Sequence, residues 1–419
     1  MTEDPTTSPR RRSRLSRLRQ LLPSVGWTAL SQLLSSLSNL VLSISVGRAG
    51  GASLLGQFTL AFTAYLLAMG FQRALISEPL MSLPAQQERH VDRAALSSAL
   101  VFGTAVAVAT AAAGLVTGIR PLLVLALAFV PLLLQDHLRF QAFQRLDARR
   151  AAELDLIWFV LTVAAWPLLV SAGSVEVPIL LWGAGAAVAS AYGLLRARTV
   201  PARAATARRW WMADARRVGG ALAVESTVHS LAIQGLAFGL AAVIGVAELG
   251  RLRAGQILLG FAGTALVTFN VLVLPRLAAR GGAVSARQAA ALCGLATTVS
   301  LAAVGGSIAI APWMEEVFFG GRLEVDVMLL LGLGAVLVLN TSTAGLVLHM
   351  KALRRVGGYT LGRLVVALVG TPLIVLAGAI GGLAWVVAAM AGLAVVYSVS
   401  DTIAWTYARR AAARESAAA

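Results

Sequence analysis

The sequence predicts an all-α integral membrane protein of about 12 transmembrane helices in two pseudo-symmetric six-helix lobes. Three observations carry this. Twelve apolar stretches of helix length run along the chain, and roughly 20 apolar residues suffice for a helix to cross the hydrocarbon core. An arginine-rich segment, residues 196–218, divides them six and six, with Arg196, Arg198, Arg203, Arg208, Arg209, Arg216 and Arg217. The remaining basic residues fall almost wholly on one side of the alternating spans. Two such halves in one membrane protein describe a repeat-built transporter with its substrate site between them.

Composition agrees. Apolar residues make up 58% of 419 and charged residues 13%, about half the charged share of ordinary soluble domains. A net charge of +16 taken alone would suggest nucleic acid. The arginines instead occupy short loops between apolar stretches, where they orient helices, so no nucleic-acid partner is expected. Cys293 is the single cysteine and lies in an apolar stretch. It can form no internal disulfide, and no Cys/His set offers a metal site.

Residues 1–20 read as a basic cytoplasmic tail, disordered at its start. The N-lobe, residues 21–195, holds spans at 21–46, 54–77, 94–117, 122–138, 151–171 and 178–195. The first is too long for the apolar core of a signal peptide and is read as retained. After the cytoplasmic linker 196–218, the C-lobe, residues 219–407, holds spans at 219–246, 254–274, 289–311, 327–349, 359–380 and 382–407. Residues 408–419 form a second cytoplasmic tail. With the N-terminus inside, 29 basic residues fall on the inner side and five, Arg48, Arg120, Arg251, Arg253 and Arg322, on the outer side. That asymmetry is what the positive-inside rule requires, and it places both termini in the cytoplasm.

The halves echo one another. Residues 51–58 and 245–252 share the pattern Gly, three residues, Leu-Gly, a long polar residue and an apolar one, at an offset of 194. Each joins two spans at a tight turn, where glycine tolerates positive φ.

The stretches Ser31-Gln-Leu-Leu-Ser-Ser-Leu-Ser-Asn39, Gly56-Gln-Phe-Thr-Leu-Ala-Phe-Thr-Ala-Tyr65 and Arg73-Ala-Leu-Ile-Ser-Glu-Pro-Leu80 resemble the start of polysaccharide flippases. These are the O-antigen, exopolysaccharide and teichoic-acid exporters of the multidrug/oligosaccharidyl-lipid/polysaccharide (MOP) superfamily. The resemblance implies a MATE-like, V-shaped pair of lobes that alternates access and moves undecaprenyl-linked glycans outward. It also implies a strongly cationic cavity, whereas Arg73 is the one basic residue that the expected boundaries place well inside a span.

The residues themselves suggest a polar passage. In the first span Ser24, Thr28, Ser31, Ser35 and Ser38 recur at helical spacing, beside Gln32, Ser36, Asn39 and Ser43, opposite a leucine-rich side. The stripe reads either as a cavity wall for sugar hydroxyls, with Ser31, Gln32, Ser35 and Asn39 as substrate contacts, or as close small-residue packing. Arg73 lies six residues before Pro79, about 9 Å along the helix. It would receive a lipid pyrophosphate or snorkel to the inner headgroups. Glu225 and His229, four apart on the seventh span, stack on one face. They would approach Arg73 across the cavity and couple transport to a proton, or form a structural salt bridge. Asn270 is a further candidate for the passage. Glu78, Asp136, His137, Arg363 and Asp401 read as interfacial pairs near inner helix ends, and residues 312–326 as a solvated outer loop.

No nucleophile–base pair, phosphate loop or metal set supports catalysis, so no enzyme is expected. The expectation is a flippase of undecaprenyl-linked oligosaccharide or polysaccharide units in the bacterial cytoplasmic membrane. It needs no cofactor beyond coupling to a proton or sodium gradient. Expected partners are the lipid-linked glycan, membrane lipids, and a polysaccharide polymerase or glycosyltransferases. An ion-coupled multidrug antiporter of the same superfamily is the alternative, and a membrane glycosyltransferase or polymerase a distant one.

Overall fold

The computed structural model describes residues 9–81, 89–216, 230, 234–260, 285–352 and 357–418. Every regular element among them is helical. Helix α1, Pro9–Gln72, carries the basic tail, the first span and most of the second, broken at Gly50 and Gly51. Gly51 adopts φ 64°, ψ −154°, a region essentially closed to residues with a Cβ. A π-turn, Arg73–Ser77, and α2, Glu78–Met81, complete the second span.

Helices α3, Arg89–Thr117, and α4, Arg120–Gln144, form the third and fourth spans. The fourth is longer than expected: it passes through Pro131 and runs six residues beyond Leu138. The fifth span is split into α5, Ala148–Ala164, and α6, Trp166–Val170. Pro167 lacks the donor a continuous helix needs at that point. Helix α7, Glu176–Ala197, is the sixth span.

The linker is not a plain loop. It forms α8, Ala204–Trp210, continued by a second π-turn, Trp211–Ala215. Beyond it come α9, Gln234–Ile244, α10, Val246–Leu258, and α11, Ala286–Phe319. Helices α12, Val327–Ser342, and α13, Ala344–Ala352, form the tenth span, and α14, Gly357–Ala418, the last two. Helix α14 breaks at Gly381 (φ −137°, ψ 20°) and Gly382 (φ 66°, ψ −154°), within a few degrees of Gly50 (φ −135°, ψ 16°) and Gly51. One backbone turn therefore joins both the first and the last pair of spans.

The chain divides into two compact units. The first is Met1–Ser45 with Ala64–Thr227, and the second is Val46–Thr63 with Val228–Ala419. In the first unit Leu96, Leu138 and Leu154 form one buried cluster between α3, α4 and α5. Val101, Val108, Leu115 and Leu127 stay more than 60% exposed, an outward apolar surface that suits lipid and not water.

In the second unit the two echoed segments meet. A Cβ on Gly56 would overlap the carbonyl of Val246, and one on Gly250 would overlap the carbonyl of Ala52. Ala52 and Val246 are separated by the same 194 residues as Gly56 and Gly250. The contact is therefore reciprocal, and the small residues let the backbones touch.

The outer segment 312–326 departs from the expected solvated loop. Helix α11 passes through Pro312 and stops only at Gly320, at φ 63°. Arg322 Nη1 then donates to the carbonyls of Arg48 (3.0 Å) and Ala49 (2.9 Å), and Arg48 Nη1 donates to Val317 O at 2.6 Å. These bonds satisfy carbonyls left open at the end of a helix.

Candidate binding cavity in the first unit

Arg73 opens the π-turn at the end of α1 and reaches α4. Its Nη2 donates to Asp136 Oδ1 at 2.6 Å and its Nε to Oδ2 at 2.9 Å, a bidentate pair. Gln72 fixes the register beside it by donating to Leu133 O at 2.7 Å. The guanidinium also lies 4.8 Å from the centre of the Phe140 ring, within cation–π range.

At Arg139, next to Phe140 in the chain, the network passes from α4 to α5. Arg139 Nη2 is 3.9 Å from Asp136 Oδ1 and its Nη1 is 3.6 Å from Asp155 Oδ2, so one guanidinium stands between two carboxylates. Asp155, on α5, is wholly buried. It accepts hydrogen bonds from Ser31 Oγ and from Gln135 Nε2 (2.9 Å). A buried carboxylate needs such donors, because an unpaired one is expelled or neutralised. Behind it the Trp158 ring stacks on Trp182 at 6.3 Å, and Tyr65 meets Trp182 edge-on at 4.9 Å.

These side chains enclose a cavity of about 190 Å³, lined by Gln32, Ser35, Asn39, Tyr65, Arg73 and Asp136, with Gln135, Arg139 and Trp158 among the others. It is smaller than the ~300–1,000 Å³ of pockets that swallow a drug-sized ligand. It suits one polar head group or a few waters. Arg73, Arg139 and Asp136 line it and Asp155 stands behind Arg139, so the two guanidinium groups are offset by two carboxylates, unlike the strongly cationic cavity the resemblance implies.

Of the residues singled out from the sequence, Arg73, Gln32, Ser35 and Asn39 come together on this cavity. Ser31 is fully buried and turned to Asp155. Asn270, Glu225 and His229 lie outside the described residues. Asp136, expected in an interfacial pair, is buried within the protein. It is 2% exposed and holds Arg73. Arg139, Asp155, Gln135, Tyr65 and Trp158 were not anticipated. The signal for Asp155 and Arg139 was present, since an ionisable residue at membrane depth marks a site by default. His137, beside Asp136, is fully buried, and neither ring nitrogen has a partner among the described residues.

In the second unit Arg363 Nη2 donates to Asp401 Oδ2 at 2.8 Å, and Thr343 Oγ1 donates to the same oxygen at 3.0 Å. Tyr359 and Tyr397 flank the guanidinium at 5.2 and 4.9 Å. Arg363 and Asp401, each expected in some pair near a helix end, are thus paired with each other. No group of His, Cys, Asp and Glu among the described residues is arranged to hold a metal.

The fold is that of MATE-like transporters, all-α, with seven helices among the described residues long and apolar enough to cross a membrane. Among solved structures, the chain is similar to an inward-facing multidrug resistance MATE family transporter of the MOP superfamily (TM-score 0.62, 16% identity, covering 94% of this chain and 100% of that one). It is similar to the lipid II flippase MurJ in an inward closed conformation (TM-score 0.63, 12% identity, 92% and 87% covered). It also matches a MOP superfamily transporter from Pyrococcus furiosus described as having a binding pocket of reverse polarity (TM-score 0.54, 16% identity, 92% and 94% covered). No family model matches the sequence, and no curated protein matches it.

Proposed function

We propose that this chain is a multi-pass membrane transporter that flips undecaprenyl-linked oligosaccharide or polysaccharide units from the inner to the outer leaflet by alternating access. The observation that carries the reading is the cavity walled by Gln32, Ser35 and Asn39 with Arg73 and Arg139 at its edge. Hydroxyl and amide groups match sugar hydroxyls, and a guanidinium binds phosphate oxygens bidentately. Arg73 is held by Asp136, so a phosphate would compete with that carboxylate, and Asp136 would be free to take up a proton as the substrate enters. The small volume suits the polar junction of lipid and sugar, not a whole glycan. The fold shared with a lipid II flippase supports this reading.

The second reading is an ion-coupled multidrug antiporter. Its support is the charge balance of the cavity, where Asp136 and Asp155 offset both arginines, together with the multidrug transporter of the same fold. Either reading takes its energy from a proton or sodium gradient and needs no organic cofactor. Under the first, a polymerase or glycosyltransferases act on the same glycan.

Purified protein in liposomes with a fluorescent undecaprenyl-pyrophosphate sugar decides between them. Faster loss of signal to a membrane-impermeant quencher is expected with the protein, and none with Arg73→Ala. Failure of wild-type protein to move the lipid, with drug efflux driven by the gradient, would establish the antiporter instead.

A further inference from the structure

The linker between the lobes presents a cationic face. Arg198, Arg203, Arg208, Arg209 and Arg216 are exposed, and none has a carboxylate partner among the described residues. The position of this face is fixed. Helix α7 ends at Ala197, and Arg198 takes up a left-handed conformation directly after it. The start of the linker is then tied to the first turns of α3, with Ala202 N donating to Arg93 O at 3.3 Å and Ser97 Oγ to Ala202 O at 3.0 Å. Both α3 and α7 are long and apolar enough to cross a membrane. The linker helix is therefore held at the level where their ends leave the hydrocarbon. Met212, 51% exposed, and Val200, 56% exposed, stand beside the arginines.

The opposite side of the helix is buried. Trp210 and Ala215 pack with Ile76, Leu80, Val91 and Ala95, and Leu75 and Trp211 lie against them. Ile76 belongs to the π-turn that begins at Arg73, and Leu80 to the turn after it. A π-turn is a local departure from regular helix that is common at functional sites. This one is supported on its far side by the linker.

We propose that the linker helix is a docking surface for the anionic phospholipid headgroups of the leaflet it faces, and that the docked lipid, through Trp210, steadies the π-turn that presents Arg73. Unpaired arginines at a membrane surface gather anionic lipid, and amphipathic helices lie in that interface with apolar side chains inserted. The proposal needs the chain to span a membrane. It does not depend on which substrate the cavity takes.

The test is hydrogen exchange of the full chain in nanodiscs of phosphatidylcholine alone or mixed with phosphatidylglycerol. The mixed discs are expected to slow amide exchange in residues 204–216 and 73–81 by roughly tenfold, and high salt to weaken the effect. The combined variant Arg203→Gln, Arg208→Gln, Arg209→Gln, Arg216→Gln loses the response, and the corresponding lysine variant keeps it. Equal exchange in the two kinds of disc overturns the proposal, as does a glutamine variant that responds like wild type. A response confined to 204–216 overturns the link to Arg73. Equal slowing by soluble polyglutamate in phosphatidylcholine discs reassigns the face to an acidic protein.

Discussion

At the scale of residues, the site rests on the pairing of Arg73 with Asp136. Removing one partner strands the other in a largely dry place. Asp136→Ala is expected to lower stability by about 3 kcal/mol, read as a drop in thermal midpoint in detergent. The exchange of both residues, Arg73→Asp with Asp136→Arg, should recover most of that loss, and a double variant no better than the single ones would show that the pair is not the cause. Asp155→Leu should destabilise more than Asp155→Asn, because the amide oxygen can still accept from Gln135 while its NH2 donates to the Ser31 hydroxyl. Arg73 was legible in the sequence because an arginine within a span is conspicuous. Its partner was not, for a specific reason. Ending the fourth span at Leu138 put Asp136 at the membrane edge, whereas α4 continues to Gln144 and sets Asp136 eight residues, about 12 Å, inside the helix end. A helix end set six residues early thus concealed that Asp136 is buried against Arg73. Ser31 carries the complementary lesson. Spacing showed that it lay on a polar stripe, but not that its hydroxyl turns to Asp155.

At the scale of elements, breaks and terminators decided what the apolar pattern could not. The glycine turns between the first two and the last two spans fall within a few residues of where apolar periodicity lapses, and were legible as turns. Gly51→Ala is expected to cost about 1–3 kcal/mol, since alanine rarely adopts φ 64°, ψ −154°. Gly26→Ala, in open space, should leave the thermal midpoint unchanged or slightly raised and serves as the control. Pro312 misled, because proline ends helices more often than it lies within them. Here Gly320 terminates α11, and the segment beyond caps the first helix through Arg322. The linker misled in another way. Its arginines signalled topology, and the buried Trp210 among them, which makes the segment a packed helix, carries no periodic signal in so short a run.

At the scale of the whole molecule, hydropathy and charge sufficed for the architecture. The expectation of twelve spans in two halves rests on lengths that match a bilayer, a property of each segment by itself, and seven helices among the described residues are long and apolar enough to cross one. The inside assignment is a separate prediction. In a Cys293→Ser background, Ala205→Cys in the linker should react with an impermeant maleimide only after cells are permeabilised, and Glu324→Cys should react in intact cells. The reverse pattern would invert the topology. Arg139 lines the cavity and does not belong in the loop tally, yet the inner excess of arginines remains large without it.

The reciprocal meeting of Gly56 with Val246 and of Gly250 with Ala52 has the geometry of an isologous interface, of the kind that joins two copies of one chain about a two-fold axis. Here both copies are covalently one molecule, so a defect at either glycine opens the same seam. Gly56→Ala and Gly250→Ala should each be costly, and together they should cost clearly less than the sum of the two, because the first already parts the backbones that the second would force apart.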